Sequence, residues 1–134
     1  MSTFTIIVPI FNEKDNLSRL ESELMKFINS TKFKTKVLLI NDGSTDGSKD
    51  IIEKLCNDNS CFEFISFVKN YGLSSALKAG FDLCNSEYIG YIDADLQTSP
   101  SDFHVLLKFI DNYDLITGYR SNRKDSYLKN ISSL

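Results

Sequence analysis

Asp93-Ala94-Asp95-Leu96-Gln97 follows the apolar run Tyr88-Ile89-Gly90-Tyr91-Ile92. Two carboxylates one residue apart at the carboxyl end of an expected strand are poorly suited to a core, where unpaired charge is costly. They suit a divalent cation held beside a diphosphate. Mg²⁺ and Mn²⁺ take oxygen ligands, usually sharing their shell between one or two carboxylates and a substrate's phosphates. Alternation along an extended chain sends Asp93, Asp95 and Gln97 to one side, so the three are expected to converge on one ion. The competing reading is a solvated acidic turn.

Other expected strand ends also carry unusual residues. Pro9-Ile10-Phe11-Asn12-Glu13 places a proline where ladder pairing should stop, so the chain is expected to peel away there and expose Phe11 and Glu13. Asn12 is expected to cap the next helix, with Asp15 three residues on. In Asn41-Asp42-Gly43-Ser44-Thr45-Asp46-Gly47-Ser48 the glycines permit a tight turn, and Ser44, Thr45 or Asp46 can cap a helix. Asp42 reads equally as a turn residue and as a carboxylate facing a base or ribose. Lys69-Asn70-Tyr71-Gly72-Leu73-Ser74-Ser75 is either an anion-facing helix start or an ordinary joint. Gly118-Tyr119-Arg120, with Arg123 next, offers a guanidinium that could offset charge on a departing diphosphate.

The elements that must position these residues are legible as alternating patterns. Phe4 to Ile10, Lys36 to Ile40, Phe62 to Val68, Tyr88 to Ile92 and Asp114 to Thr117 read as strands, mostly near-continuous apolar runs that suit a sheet buried on both faces. Helical stripes fall at Leu17, Leu20, Leu24 and Phe27; at Ile51, Ile52 and Leu55; at Leu73, Ala76, Leu77 and Phe81; and at Phe103, Leu106, Leu107 and Ile110. Ser99-Pro100-Ser101-Asp102 opens the last with cap, proline and acidic residue. The order β-α-β-α-β-α-β-α-β predicts an α/β fold with a doubly wound, mostly parallel sheet, whose ligands bind at the carboxyl ends of the strands.

At 134 residues, 42% hydrophobic and 25% charged, the chain has room for one core. A formal net charge of −3, with no basic stripe, argues against a nucleic-acid partner. No run approaches the ~18 apolar residues of a membrane helix. The start lacks the regions of a signal peptide, and Cys56, Cys61 and Cys84 are irregularly spaced, so idle thiols and a cytoplasmic setting are expected. His104 is the only histidine and is not expected to be catalytic. Zinc, Ser-His-Asp, Cys-His, Gly-x-Gly-x-x-Gly and P-loop patterns are absent.

Taken in order, Val8-Pro9-Ile10-Phe11-Asn12-Glu13, Asn41-Asp42-Gly43-Ser44-Thr45-Asp46-Gly47, Asn70-Tyr71-Gly72, Asp93-Ala94-Asp95-Leu96-Gln97 and Gly118-Tyr119-Arg120 resemble the family 2 glycosyltransferases of GT-A fold. Ser66 to Gly72 and the Asp-Ala-Asp-Leu-Gln run resemble the polyisoprenyl-phosphate glycosyltransferases in particular. The resemblance implies that Pro9, Phe11, Glu13, Asp42, Lys69 and Ala94 serve the nucleotide sugar. It implies that Asp93, Asp95 and Gln97 serve Mg²⁺ or Mn²⁺ and the diphosphate, and that Arg120 faces the phosphates. A nucleotide-sugar donor, with a UDP-sugar favoured over GDP-mannose, would pass its sugar with inversion to a polyprenyl phosphate. Catalytic roles would fall on Asp93, Asp95 and Arg120.

The same resemblance implies a donor domain over residues 1–119 and the start of an acceptor-side segment over 120–134. The chain is expected to break off where a larger, membrane-associated protein continues, acting at the inner face of the membrane. Transfer to a growing surface glycan and a catalytically inactive sugar-nucleotide-binding fragment are the alternatives. A receiver-type signalling domain would need a phosphoacceptor aspartate after strand three, where this chain has Lys69-Asn70.

Overall fold

The computed structural model describes residues 1–118. Their elements are β1 (Thr3–Ile10), α1 (Leu17–Ser30), β2 (Lys34–Asn41), α2 (Ser48–Asp58), β3 (Phe62–Ser66), α3 (Leu73–Leu83), β4 (Tyr88–Tyr91) and α4 (Phe103–Leu106). The chain divides into two units, Met1–Pro100 and one that begins at Ser101. In the first, all strand pairs are parallel and the order is β3-β2-β1-β4. The chain thus works outward from β1 to β3, then crosses back to lay β4 on the other side of β1.

Both faces of this sheet carry helices. Ile7, Leu38, Ile40 and Ala76 of α3 form one buried cluster, with Ile65, Phe67 and Leu77 packed against it. Phe4 is three residues from Ile7 and so points to the opposite face. There its ring meets Phe27 of α1 edge to face at 6.1 Å. The doubly wound arrangement expected from the alternating pattern is the one observed.

Helix α1 buries Leu17, Leu20, Leu24 and Phe27, the stripe its spacing predicts. Fully burying such a side chain is worth about 1.5–3 kcal/mol. The other stripes are narrower than expected. Ile52 and Leu55 are buried on α2 while Ile51 is exposed, and α3 buries Ala76 and Gly80 but leaves Leu73 and Phe81 about half exposed. At α3 the reason is close approach: a Cβ on Gly80 would lie 2.8 Å from Ile7 Cγ2. The helix backbone itself rests on β1, so little room remains for large side chains.

Three expectations need correction. Pro9 does not end β1, because pairing with β2 continues through Pro9↔Ile40 and Ile10↔Asn41. Ile10 accepts from Asp42 N–H on the β2 side, whereas Ile7 accepts from Ile92 N–H on the β4 side. Pro9 shares the orientation of Ile7, so its missing N–H faces β4, where pairing has already stopped at Ile7↔Tyr91. The chain parts from one neighbour only.

Asp114 to Thr117 forms no strand; so short a segment becomes one only with a ladder partner, and Leu115 is 73% exposed. The last helical stripe shrinks to the single turn of α4, flanked by 3₁₀ turns at Pro100–Asp102 and Leu107–Phe109. Phe103 is buried there, and Leu106, Leu107 and Ile110 are half-buried.

Gly80→Val is expected to destabilise the fold by about 1–3 kcal/mol through overpacking against Ile7. Urea midpoints of the two proteins measure it. Equal midpoints would show that α3 is free to move off β1.

Candidate functional site

Because the strand order reverses at β1, the carboxyl ends of β1 and β4 diverge, and doubly wound sheets bind ligands in such a crevice. A cavity of about 410 Å³ opens there. Pro9, Ile10, Phe11 and Glu13 line it from β1 and the loop after it, and Asp42 from the end of β2. Asn70, Gly72 and Leu73 come from the start of α3, and Asp93, Ala94 and Asp95 from the turn after β4. A second cavity, of about 330 Å³, includes Thr3, Lys34 and Lys36 from the opposite ends of β1 and β2. Its one carboxylate, Glu63, is paired with Lys36 at 2.9 Å, so the acidic chemistry belongs to the first.

Asp42 is 4% exposed. Its Oδ1 accepts from Tyr71 N–H at 2.7 Å, and its Oδ2 from Gly72 N–H at 3.0 Å and Asn70 Nδ2 at 3.2 Å. The carboxylate is therefore a clamp on the 69–72 loop as well as part of the cavity wall. Gly43 makes the clamp possible: with φ +71, a Cβ there would lie 2.2 Å from the Lys69 carbonyl carbon. Only glycine admits that loop.

A second set of bonds ties the loop after β1 to the loop after β2. Asn12 is not the helix cap its position suggested. It sits at φ 54, where asparagine is tolerated. There its Oδ1 accepts from Thr45 N–H at 2.7 Å while its own N–H donates to Ser44 Oγ at 3.0 Å. Asp46 accepts from Ser48 N–H and hydroxyl through Oδ1, at 3.0 and 2.6 Å, and from Lys14 N–H through Oδ2 at 3.2 Å. The Ser48 hydroxyl above all holds the Asp46 carboxyl below its ordinary range.

Asp93 to Gln97 is not extended. Leu96 N–H bonds back to Asp93 C=O at 3.4 Å, and Leu96 takes φ 56. Burial still alternates: Ile92, Ala94 and Leu96 are 4%, 3% and 8% exposed, so the odd-numbered side chains stay outside. The turn, however, leaves Gln97 off the cavity wall, while its N–H donates to Asp95 Oδ1 at 3.2 Å. Tyr91 donates its hydroxyl to Asp93 Oδ1 at 2.5 Å. Burial first, then that bond and the charges of Asp93 and Asp95, push the phenol's pKa well up.

The fold thus brings together Pro9, Phe11, Glu13, Asp42, Asp93, Ala94 and Asp95. Lys69 does not line the cavity; its ammonium lies 5.1 Å from the centre of the Tyr71 ring. Arg120 lies outside the described residues. Sequence reasoning gave no site role to Ile10, Asn70, Gly72 and Leu73, although all four stood in quoted motifs. Tyr91 left no signal beyond its place two residues before Asp93. The thiols of Cys56 and Cys61 are raised by burial, the former to about 11 with help from Glu63, which fits inert cysteines. No helix among the described residues is long and apolar enough to cross a membrane.

An α/β unit with a carboxylate-lined cavity at its switch point is compatible with a GT-A fold, and comparison with known proteins agrees on that fold. The chain belongs to glycosyl transferase family 2, whose model it matches over residues 5–132. It is 32% identical over 124 residues to the undecaprenyl-phosphate 4-deoxy-4-formamido-L-arabinose transferase of Pseudomonas syringae, which covers 91% of this chain and 37% of that protein. With the enzyme of the same name from Proteus mirabilis it shares 31% identity over 142 residues, 99% of this chain and 43% of that one. The chain therefore spans about two fifths of the length of these curated relatives.

Among solved structures, S. aureus TarS 1–349 in complex with UDP-GlcNAc superposes with TM-score 0.68 at 20% identity, over 91% of this chain and 38% of that one. The mannosyltransferase PcManGT from Pyrobaculum calidifontis, in complex with GDP-Man and Mn²⁺, gives 0.56 at 23% identity, over 69% and 27%. These likenesses establish the GT-A fold.

Two outcomes follow from the loop clamps. Asp42→Asn should weaken the hold on the 69–72 loop by about 1.5–3 kcal/mol, the worth of hydrogen bonds to a charged group. Tyr71 and Gly72 amides would then exchange at least about tenfold faster, and unchanged exchange would remove the clamp. Asp46, with its folded pKa depressed, contributes stability that is present above the ordinary aspartate value of about 3.9 and lost as pH falls through the folded value. Acid titration against Asp46→Asn should show the wild-type advantage shrinking over that window and constant above it.

Proposed function

We propose that these residues form the donor-binding part of an inverting glycosyltransferase. It moves a sugar from a nucleoside-diphosphate sugar, a UDP-sugar ahead of GDP-mannose, to a polyprenyl phosphate. The carrying observation is the cavity at the β1/β4 switch point, with Asp93 and Asp95 on one wall and Phe11, Glu13 and Asp42 on the other side of the crevice. Relatives named as undecaprenyl-phosphate transferases support the acceptor. Neighbours in complex with UDP-GlcNAc and with GDP-Man support the donor class.

The donor set fits Mg²⁺ or Mn²⁺. Among the described residues, no cluster of three His, Cys, Asp or Glu side chains could hold a metal ion unaided. Two carboxylates with the rest of the shell left to diphosphate oxygens are how these cations are commonly held beside phosphates. In this reading Asp93 and Asp95 hold the cation, and Gln97, off the cavity wall, serves only through its N–H to Asp95 Oδ1. Pro9, Phe11, Glu13 and Asp42 receive the base and ribose, and Ala94 backs the pocket. Arg120 answers the phosphates; Lys69, off the cavity wall and over the Tyr71 ring, is not assigned to them. The cation would supply charge stabilisation for the leaving diphosphate. A phosphate acceptor, whose second pKa is about 6, is already largely ionised at neutral pH and needs little help from a base.

Thermal melts with UDP- and GDP-sugars, in Mn²⁺ or EDTA, test the donor site. At a hundred times its Kd a donor should add roughly 2.7 kcal/mol of stability. The shift should depend on metal and vanish in Asp95→Ala. Absence of any shift in a cooperatively melting protein would overturn the donor reading. Sugar transfer to undecaprenyl phosphate, set against a glycan acceptor, then decides the acceptor.

A further inference from the structure

Tyr91 closes β4 and has no part in the roles assigned above. It is two residues from Asp93, with the 4% exposed Ile92 between them, so both side chains project to the same side of the strand. The Ile92 N–H is held by Ile7 C=O at 3.2 Å, which ties the backbone next to Asp93 to the central strand. The Tyr91 hydroxyl then holds the side chain, donating to Asp93 Oδ1 at 2.5 Å. The ring is 39% exposed, so water competes for this hydroxyl and the carboxylate is nevertheless its partner.

Asp95 is held in a parallel way, its Oδ1 accepting from Gln97 N–H at 3.2 Å. Each member of the pair therefore has one oxygen committed to the protein. Among the described residues, Oδ2 of each has no hydrogen-bond donor, and both side chains line the cavity. A carboxylate free to rotate must be ordered when an ion binds; one already pinned through one oxygen presents the other without that loss.

We propose that Tyr91 is a positioning residue for Asp93: its hydroxyl pins Oδ1 so that Oδ2 is presented to a divalent cation bound with a nucleoside diphosphate. This rests on the reading of Asp93 as a group that serves the cation. Outer partners of ligating side chains commonly change metal affinity by 10–100-fold when removed. A hydroxyl that merely competed with the cation for Asp93 would do the reverse, and its loss would tighten binding.

Mn²⁺ titration followed by the electron paramagnetic resonance of the free ion, in the presence of UDP and separately GDP, distinguishes these cases. Tyr91→Phe keeps the ring and removes only the hydroxyl. It should weaken Mn²⁺ binding at least tenfold, while Asp93→Asn should weaken it more. In the double variant, Tyr91→Phe should add nothing to Asp93→Asn, since its effect acts through that carboxylate. A general structural defect would not be silenced in this way. If Tyr91→Phe melts early, the titrations are run below both transitions.

Wild-type binding that depends on Asp93 but is equal or tighter in Tyr91→Phe overturns the inference and leaves the functional reading standing. Binding that ignores Asp93, or no Mn²⁺ binding with either nucleotide, overturns the cation reading and this inference with it.

Discussion

β1 has two neighbours to satisfy, and only one follows it to its end. Its ladder with β2 runs from Thr3↔Lys34 to Ile10↔Asn41, whereas the ladder with β4 stops at Ile7↔Tyr91. Pro9 lies beyond that point with no N–H to offer, so parting from β4 leaves no buried donor unpaired. The crevice between the strand ends is therefore compatible with full backbone pairing. Since every ladder is parallel, the polar loops after β1, β2 and β4 and the start of α3 all open on the same rim.

What orders that rim is hydrogen bonding from side chain to backbone. Asp42 is buried yet accepts three N–H donors, which answers the cost of taking a carboxylate out of water. Asn12 and Asp46 join the first two loops in the same way. The cavity wall and its support are thus built from the same residue types. A carboxylate at a strand end serves its own loop and can still face a ligand through its remaining lone pairs.

Much of this was legible beforehand. Runs such as Ile6-Ile7-Val8 and Val37-Leu38-Leu39-Ile40 marked the central strands, and the 3–4 spacing on α1 named its buried residues. Misreadings share one cause. Asp114 to Thr117 had the composition of a strand without a partner. Asn12 had the chemistry of a cap but a backbone at φ 54. The α3 stripe overestimated burial because Gly80, not a large residue, faces Ile7. Each was decided by a neighbour distant in sequence.

By itself, the sequence determined the order of elements through β4, the class of sheet and the family. These depend on periodicity, turn residues and motif order, all of which act within a few residues of chain. Only the tertiary structure decided that β4 lies beside β1, that seven of the expected site residues share one cavity, and that Lys69 and Gln97 do not line it. It also decided that Asp42 grips a loop 28 to 30 residues away. Such choices belong to ladders and loop contacts that form only once distant segments are packed together, so no local pattern encodes them.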